Sequence, residues 1–198
     1  MNIEIRKLKP DLAEDYVNFF DITSHDDNMD EHKCYCVCWC NDDWEGKDFS
    51  TAEKRRKYAL QYVKGHNLQG YLAYSDDVVI GWCNANTKSD CLKCASWRRF
   101  MDYVPLEESD AGIKVKSIFC FVIAPEMKRK GIATQLLERV CKDALRDGFD
   151  IVEAYPYKES SYQSSDFGGH FEMYKKSGFH VSSETEKGLV MRKQLKQI

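Results

Sequence analysis

The sequence contains no apolar run near the roughly 18 residues that a membrane-crossing helix needs, so no span and no membrane partner are expected. Its first residues, MNIEIRKLKPD, have neither an apolar signal core nor a small-residue cleavage site, and the expected location is the cytoplasm. Charge of one sign is also in short supply. A net charge of −3 gives no general attraction to nucleic acid or to an anionic membrane. No internal repeat and no low-complexity linker divides the 198 residues, which is the length of one compact domain. What is present suits a real core: 43% of residues are hydrophobic and 13% aromatic.

Cysteine is abundant, with nine residues. The odd number and irregular spacing argue against a disulfide framework and for reduced thiols. Four of them, Cys34, Cys36, Cys38 and Cys40, alternate with larger residues, which predicts an extended segment with the thiols on one face. Cys-x-Cys is a poor zinc pattern. Cys91-x-x-Cys94 is a better one, but no metal is expected.

Hydrophobic spacing predicts mixed strands and helices. Ile3 and Ile5 suggest a first strand, and Asp11 with Glu14 a capping-box helix start running to about Ile22. Ser50-Thr51-Ala52-Glu53 opens a second helix that stops at Gly65. Residues 70–85 read as two strands around a turn at 75–77, and 86–115 as a long connection with a short helix near Trp97 to Met101. SIFCFVI (117–123) suits a strand buried on both faces, and 131–147 an amphipathic helix ended by Gly148. Residues 150–155 form another strand candidate, 169–177 a short helix ended by Gly178, and 179–184 and 189–195 two last strands.

The most informative stretch is FCFVIAPEMKRKGIATQLL (119–137). A buried strand leads through a basic loop and a glycine into the strong helix. The loop sets unpaired N–H groups at a helix N-terminus, where the dipole favours an anion. Lys128, Arg129 and Lys130 add positive charge, Gly131 allows close backbone approach, Ala133 is small, and Thr134 offers a hydroxyl. The pattern suits a pyrophosphate.

Lys128-x-x-Gly131-x-Ala133 resembles the Arg/Gln-x-x-Gly-x-Gly/Ala motif of the GCN5-related N-acetyltransferase (GNAT) family, with Lys replacing Arg or Gln. Tyr174-Lys-Lys-Ser-Gly178-Phe179 is similar to that family's Tyr-x-x-x-Gly-Phe, and EAYP (153–156) to a subgroup of acetyltransferases carrying that segment. The resemblance covers about 70–195. It implies one α/β (α+β) domain with a twisted, mostly antiparallel mixed sheet flanked by helices, of which 1–69 forms the acceptor side and 70–198 the acyl-CoA core. It implies acetyl-CoA as acyl donor, with Phe121 and Ile123 offering backbone bonds to its pantetheine arm. Lys128 to Thr134, Ile132 included, would hold the pyrophosphate. Tyr174 would protonate the departing thiolate. The implied partner is a small-molecule or peptide amine, and a homodimer is left open.

The family often supplies a glutamate on the strand at 117–123, where this chain has Ser117 and Cys120. Glu153 and His170 are the base candidates, beside a water relay. Tyr35, Trp39 and some thiols of the 34–40 segment are candidate walls for the acceptor, the rings by cation–π contact, and the acids at Asp26, Asp27, Asp30, Glu31, Asp42, Asp43 and Glu45 would attract a cationic one. Two rival readings are a non-catalytic acyl-CoA sensor and a thiol- or metal-dependent module centred on residues 34–40.

Overall fold

The computed structural model describes residues 2–23, 29–39, 46–105, 112–156 and 167–195. In chain order it has strand β1 (Glu4–Lys7), helices α1 (Ala13–Ile22) and α2 (Ala52–Lys64), and strands β2 (Gly70–Ser75) and β3 (Val78–Thr87). Short helices α3 (Lys88–Cys91) and α4 (Ala95–Phe100) follow. Then come β4 (Val115–Ile123), α5 (Ile132–Arg146), β5 (Ile151–Ala154), α6 (Phe171–Lys176), β6 (His180–Glu184) and β7 (Leu189–Gln194). The strands form one sheet in the order β1-β2-β3-β4-β5-β7-β6. Every pair is antiparallel except β4–β5. The expected mixed, mostly antiparallel sheet flanked by helices is therefore present. No helix among the described residues is long and apolar enough to cross a membrane.

Local sequence explains the regular parts. The β2–β3 hairpin turns on Asp76 and Asp77, both at positive φ, as a two-residue turn between twisted strands requires. Helix α5 buries Ile132, Leu136, Leu137, Val140, Cys141 and Ala144. That stripe faces Ile118 and Phe121 of β4 and Ala73 and Ile80 of the hairpin, forming one core. The other face of the sheet is covered by α1 and α2, with Tyr16, Phe20, Leu72, Trp82, Cys120 and Val122 in a second core. Thr51 caps α2, its hydroxyl accepting from the Lys54 N–H at 3.2 Å. The cap is thus one residue later than Ser50.

Three expectations are corrected. Asp11 does not cap α1: a 3-10 turn at Pro10–Leu12 precedes the helix, and Leu12 stands at the N-cap without a side-chain bond. The segment from Cys34 is not extended. Tyr35 and Cys36 take φ values of 47° and 49°, and Val37–Trp39 form a 3-10 turn. The alternation of thiols and large residues mimics a strand, but the chain is held as a loop by its neighbours. Arg55 donates to the carbonyls of Lys33, Phe49 and Asp30 at 2.7 Å each, and the Tyr16 hydroxyl to that of Tyr35 at 2.8 Å. Without a strand, Cys34, Cys36 and Cys38 still border one common cavity, and Cys40 lies outside the described residues. The connection expected from residue 86 starts later, since β3 reaches Thr87; α4 is the short helix expected near Trp97, and α3 precedes it unforeseen.

Candidate active site

Strand β4 outruns its neighbour. Val115 to Ile118 pair in parallel with Ile151 to Ala154, and there β5 ends. Residues Cys120 to Ile123 keep β3 on one side, while their other edge leaves the strand partner behind. The Phe121 N–H points to that open side, where it donates to the Phe167 carbonyl at 2.7 Å. Alternate residues of a strand present their backbone groups to the same side, so Ile123 faces the opening as well. The register also slips between Asn84 and Ala85, which pair with Cys120 and Ile118. Phe119 is the extra residue of this bulge. It and Cys120 both belong to cores on the α1–α4 side of the sheet.

Beyond Ile123 the chain makes a 3-10 turn at Pro125–Met127 and enters α5 through Arg129 (φ 62°) and Gly131 (φ 79°). The first N–H groups of a helix have no acceptor within it. In α5 the first to find one is that of Gln135, which bonds the Gly131 carbonyl at 3.1 Å. Ile132, Ala133 and Thr134 precede it. Gly131 is exposed, and a Cβ built there would meet nothing within 4 Å. The space above this turn is therefore open to a ligand, and Lys128, Arg129 and Lys130 are exposed around it. Backbone donors, a left-handed glycine and three basic side chains make a fit for a doubly charged pyrophosphate.

A cavity of about 450 Å³ lies on the α1–α4 face beside the open edge of β4. Trp39, Met101, Phe119, Tyr155 and Phe167 supply most of its apolar wall, and Cys34, Cys36, Cys38 and Cys120 its thiols. The indole of Trp39 stacks on Phe119 with ring centres 4.4 Å apart, and Phe119 stacks on Tyr155 at 5.4 Å. The Cys36 and Cys120 sulfurs are 3.4 Å apart, and the Trp82 indole N–H donates to Cys36 at 3.4 Å. The Cys120 contact and burial hold the Cys36 thiol well above its ordinary pKa, and burial pushes Cys38 up to about 11. Among the described residues, no group of three or more His, Cys, Asp or Glu is arranged to hold a metal ion.

The candidates from sequence separate in space. Trp39 lines the cavity. Tyr35 does not: it is buried against Phe20, and its hydroxyl donates to Asp21 at 2.6 Å. Its side chain is fixed in the core rather than offered to an acceptor. Glu153 is fully buried on β5 behind Tyr155. Its carboxylate accepts from the Tyr155 hydroxyl at 2.6 Å and from Arg192 Nε at 2.5 Å, and lies 3.0 Å from Lys88 Nζ. Ser117 Oγ is 2.9 Å from the same Tyr155 oxygen. Burial and the neighbouring Glu153 hold the Tyr155 phenol well above its ordinary pKa. His170 is exposed and caps α6, its Nδ1 accepting from the Glu172 N–H at 3.2 Å. Tyr174 is fully buried between Phe121 and Phe179. Its hydroxyl donates to the Gly168 carbonyl at 2.7 Å, and burial holds its pKa well above the ordinary phenolic value. Of the acids thought to attract a cation, Asp30 pairs with Lys33 at 2.7 Å, while Asp26, Asp27, Asp42, Asp43 and Glu45 lie outside the described residues.

Sequence reasoning missed Phe119, Cys120, Tyr155 and Phe167 as cavity walls. Only Tyr155 carried a local signal, as part of the EAYP segment.

The family model for the acetyltransferase (GNAT) family matches residues 36–179. No curated protein matches the chain. Solved structures of similar fold include the PaiA N-acetyltransferase of Thermoplasma acidophilum in complex with coenzyme A. It is 18% identical, with a TM-score of 0.54 over 98% of this chain and 99% of that one. An N-acetyltransferase of Staphylococcus aureus is 13% identical, with a TM-score of 0.52 over 99% and 100%. The ribosomal-protein-S18-alanine N-acetyltransferase of Escherichia coli is 10% identical, with a TM-score of 0.54 over 100% and 96%. At such identities these likenesses speak for the fold.

Proposed function

The chain belongs to the acetyltransferase (GNAT) family, and from that premise we propose that it moves an acetyl group from acetyl-CoA to an amine by direct attack in a ternary complex. The observation that carries this reading is the continuity of the open edge of β4 with the Gly131 turn at its end and the cavity along its side. In this reading the N–H groups and basic side chains of Lys128 to Thr134 hold the pyrophosphate. The pantetheine arm runs along β4, with Ile123 as the ready backbone partner, because the Phe121 N–H is already bonded to Phe167. The PaiA relative was solved with coenzyme A, which supports the same choice of donor. In this reading the EAYP segment (153–156) marks a subgroup of these acetyltransferases.

Chemically, the amine nitrogen attacks the thioester carbonyl carbon, the carbon–sulfur bond breaks, and the thiolate takes a proton. We assign polarisation of the carbonyl to the Ile123 N–H. Protonation of the thiolate falls to Tyr174, whose hydroxyl must exchange the Gly168 carbonyl for sulfur to do so. The route for the amine proton ends on Glu153 by way of Tyr155, which both lines the cavity and donates to that carboxylate. His170 is the second candidate. Initial rates with acetyl-CoA and an amine varied together test the order of events. Intersecting reciprocal plots are expected; parallel plots would overturn direct attack and implicate an acylated thiol of the cavity wall.

A further inference from the structure

We infer that the acceptor is a small primary amine carried on an aromatic or other apolar body, rather than a polyamine or an aminoglycoside-like polycation. This rests on the acyltransfer reading above and deepens it. The cavity of about 450 Å³ has the size of a site for one small ligand, and rings, a thioether and thiols predominate in its wall. Trp39, Phe119 and Tyr155 form a continuous stacked face. Among the described lining residues the single charged one is Lys187, whose ammonium is held by Asp102. None is a carboxylate. A polycation would bring several ammonium groups against apolar surface and toward a like charge, with no described lining anion to compensate.

The same wall bears on the chemistry. An amine must be neutral to attack, and desolvation disfavours its ammonium form. A carboxylate beside the amine would do the opposite and hold the proton on it. Glu153, where the proton route ends, stands behind Tyr155 and not on the wall, so the wall itself suits an amine that sheds its proton on entering an apolar site. The Cys36 and Cys38 thiols, kept protonated by their raised pKa values, add apolar surface rather than charge.

The test uses the full chain with acetyl-CoA and four probe amines: 2-phenylethylamine, phenylalaninamide, spermidine and kanamycin, with coenzyme A release as readout. Burial of a phenyl group is worth roughly tenfold to a hundredfold in kcat/KM. At least one aromatic amine should therefore exceed both polycations by about that factor. Trp39→Ala should cut that preference roughly tenfold through KM, with acetyl-CoA binding by calorimetry reporting that the fold survives. A kcat/KM for spermidine or kanamycin equal to or above both aromatic amines would overturn the acceptor class while leaving acyltransfer intact. Acetyl-CoA binding with no turnover of any probe would overturn acyltransfer to amines, and the acceptor class with it.

Discussion

Replacing Tyr174 with Phe removes one oxygen and leaves the ring between Phe121 and Phe179 in place. The structural effect can be sized first. The hydroxyl makes a 2.7 Å hydrogen bond to the Gly168 carbonyl in a fully buried setting. Loss of such a bond with the acceptor left unsatisfied costs about 1–3 kcal/mol. In a chain of this length each kcal/mol moves the melting temperature by about 2–4 °C, so a loss of about 2 kcal/mol lowers it by roughly 4–8 °C. Native domains hold about 5–15 kcal/mol, and the variant therefore stays folded at 25 °C. A fall in turnover at that temperature cannot come from unfolding. If the phenol protonates the leaving thiolate, saturated turnover should fall by about a hundredfold to ten-thousandfold with acetyl-CoA affinity unchanged. The assay is coenzyme A release at saturating substrates, with a melting curve on the same sample. A lowered melting temperature with wild-type turnover, where chemistry limits the rate, would refute the role and leave Tyr174 as a strut for the Gly168 loop.

Two further outcomes follow from buried charge. Lys116 is buried, donates to Gln69 at 2.9 Å, and has its pKa lowered to about 8 by burial. Its ammonium is paid for in full below pH 8, and between about pH 8 and 10.5 the folded chain holds fewer protons than the unfolded one, so stability rises with pH in that window. Lys116→Met should therefore be more stable than wild type at pH 7, by on the order of 3 kcal/mol, in urea unfolding. That advantage should shrink as pH climbs from 8 to 10; a gap constant with pH would contradict the titration. Glu153→Gln removes the buried carboxylate that Arg192 and Lys88 share and should cost about 3–5 kcal/mol in the same experiment. A loss below about 1 kcal/mol would show that the network relaxes around solvent.

The parts legible in the sequence were those set by local pattern. An apolar run, a basic loop, a glycine and an amphipathic stripe specify β4, the Gly131 turn and α5 in one continuous stretch from Val115 to Arg146. Gly148 and Gly178 end their helices at positive φ, as expected. Long-range packing explains what was not legible. The loop around Tyr35 is held by Arg55, whose guanidinium reaches back to carbonyls between Asp30 and Phe49. A two-residue period in the cysteines carries no trace of that. The bulge at Phe119 turns two successive side chains to one face, which a strict alternation misassigns. Glu153 reads as an open strand carboxylate until Arg192 and Lys88 arrive from distant elements to enclose it.

The central claim is that the turn before α5 holds the pyrophosphate of acetyl-CoA, and two matched glycines test it. Gly131 and Gly148 flank the same helix with φ of 79° and 81°, and a Cβ at either would meet nothing within 4 Å. Gly131→Val and Gly148→Val thus carry the same left-handed strain, on the order of 1–2 kcal/mol, but only the first places bulk where the phosphates approach. Calorimetric titration with acetyl-CoA should show at least a tenfold loss of affinity in Gly131→Val and none in Gly148→Val, with similar falls in melting temperature. Wild-type affinity in Gly131→Val would contradict the account.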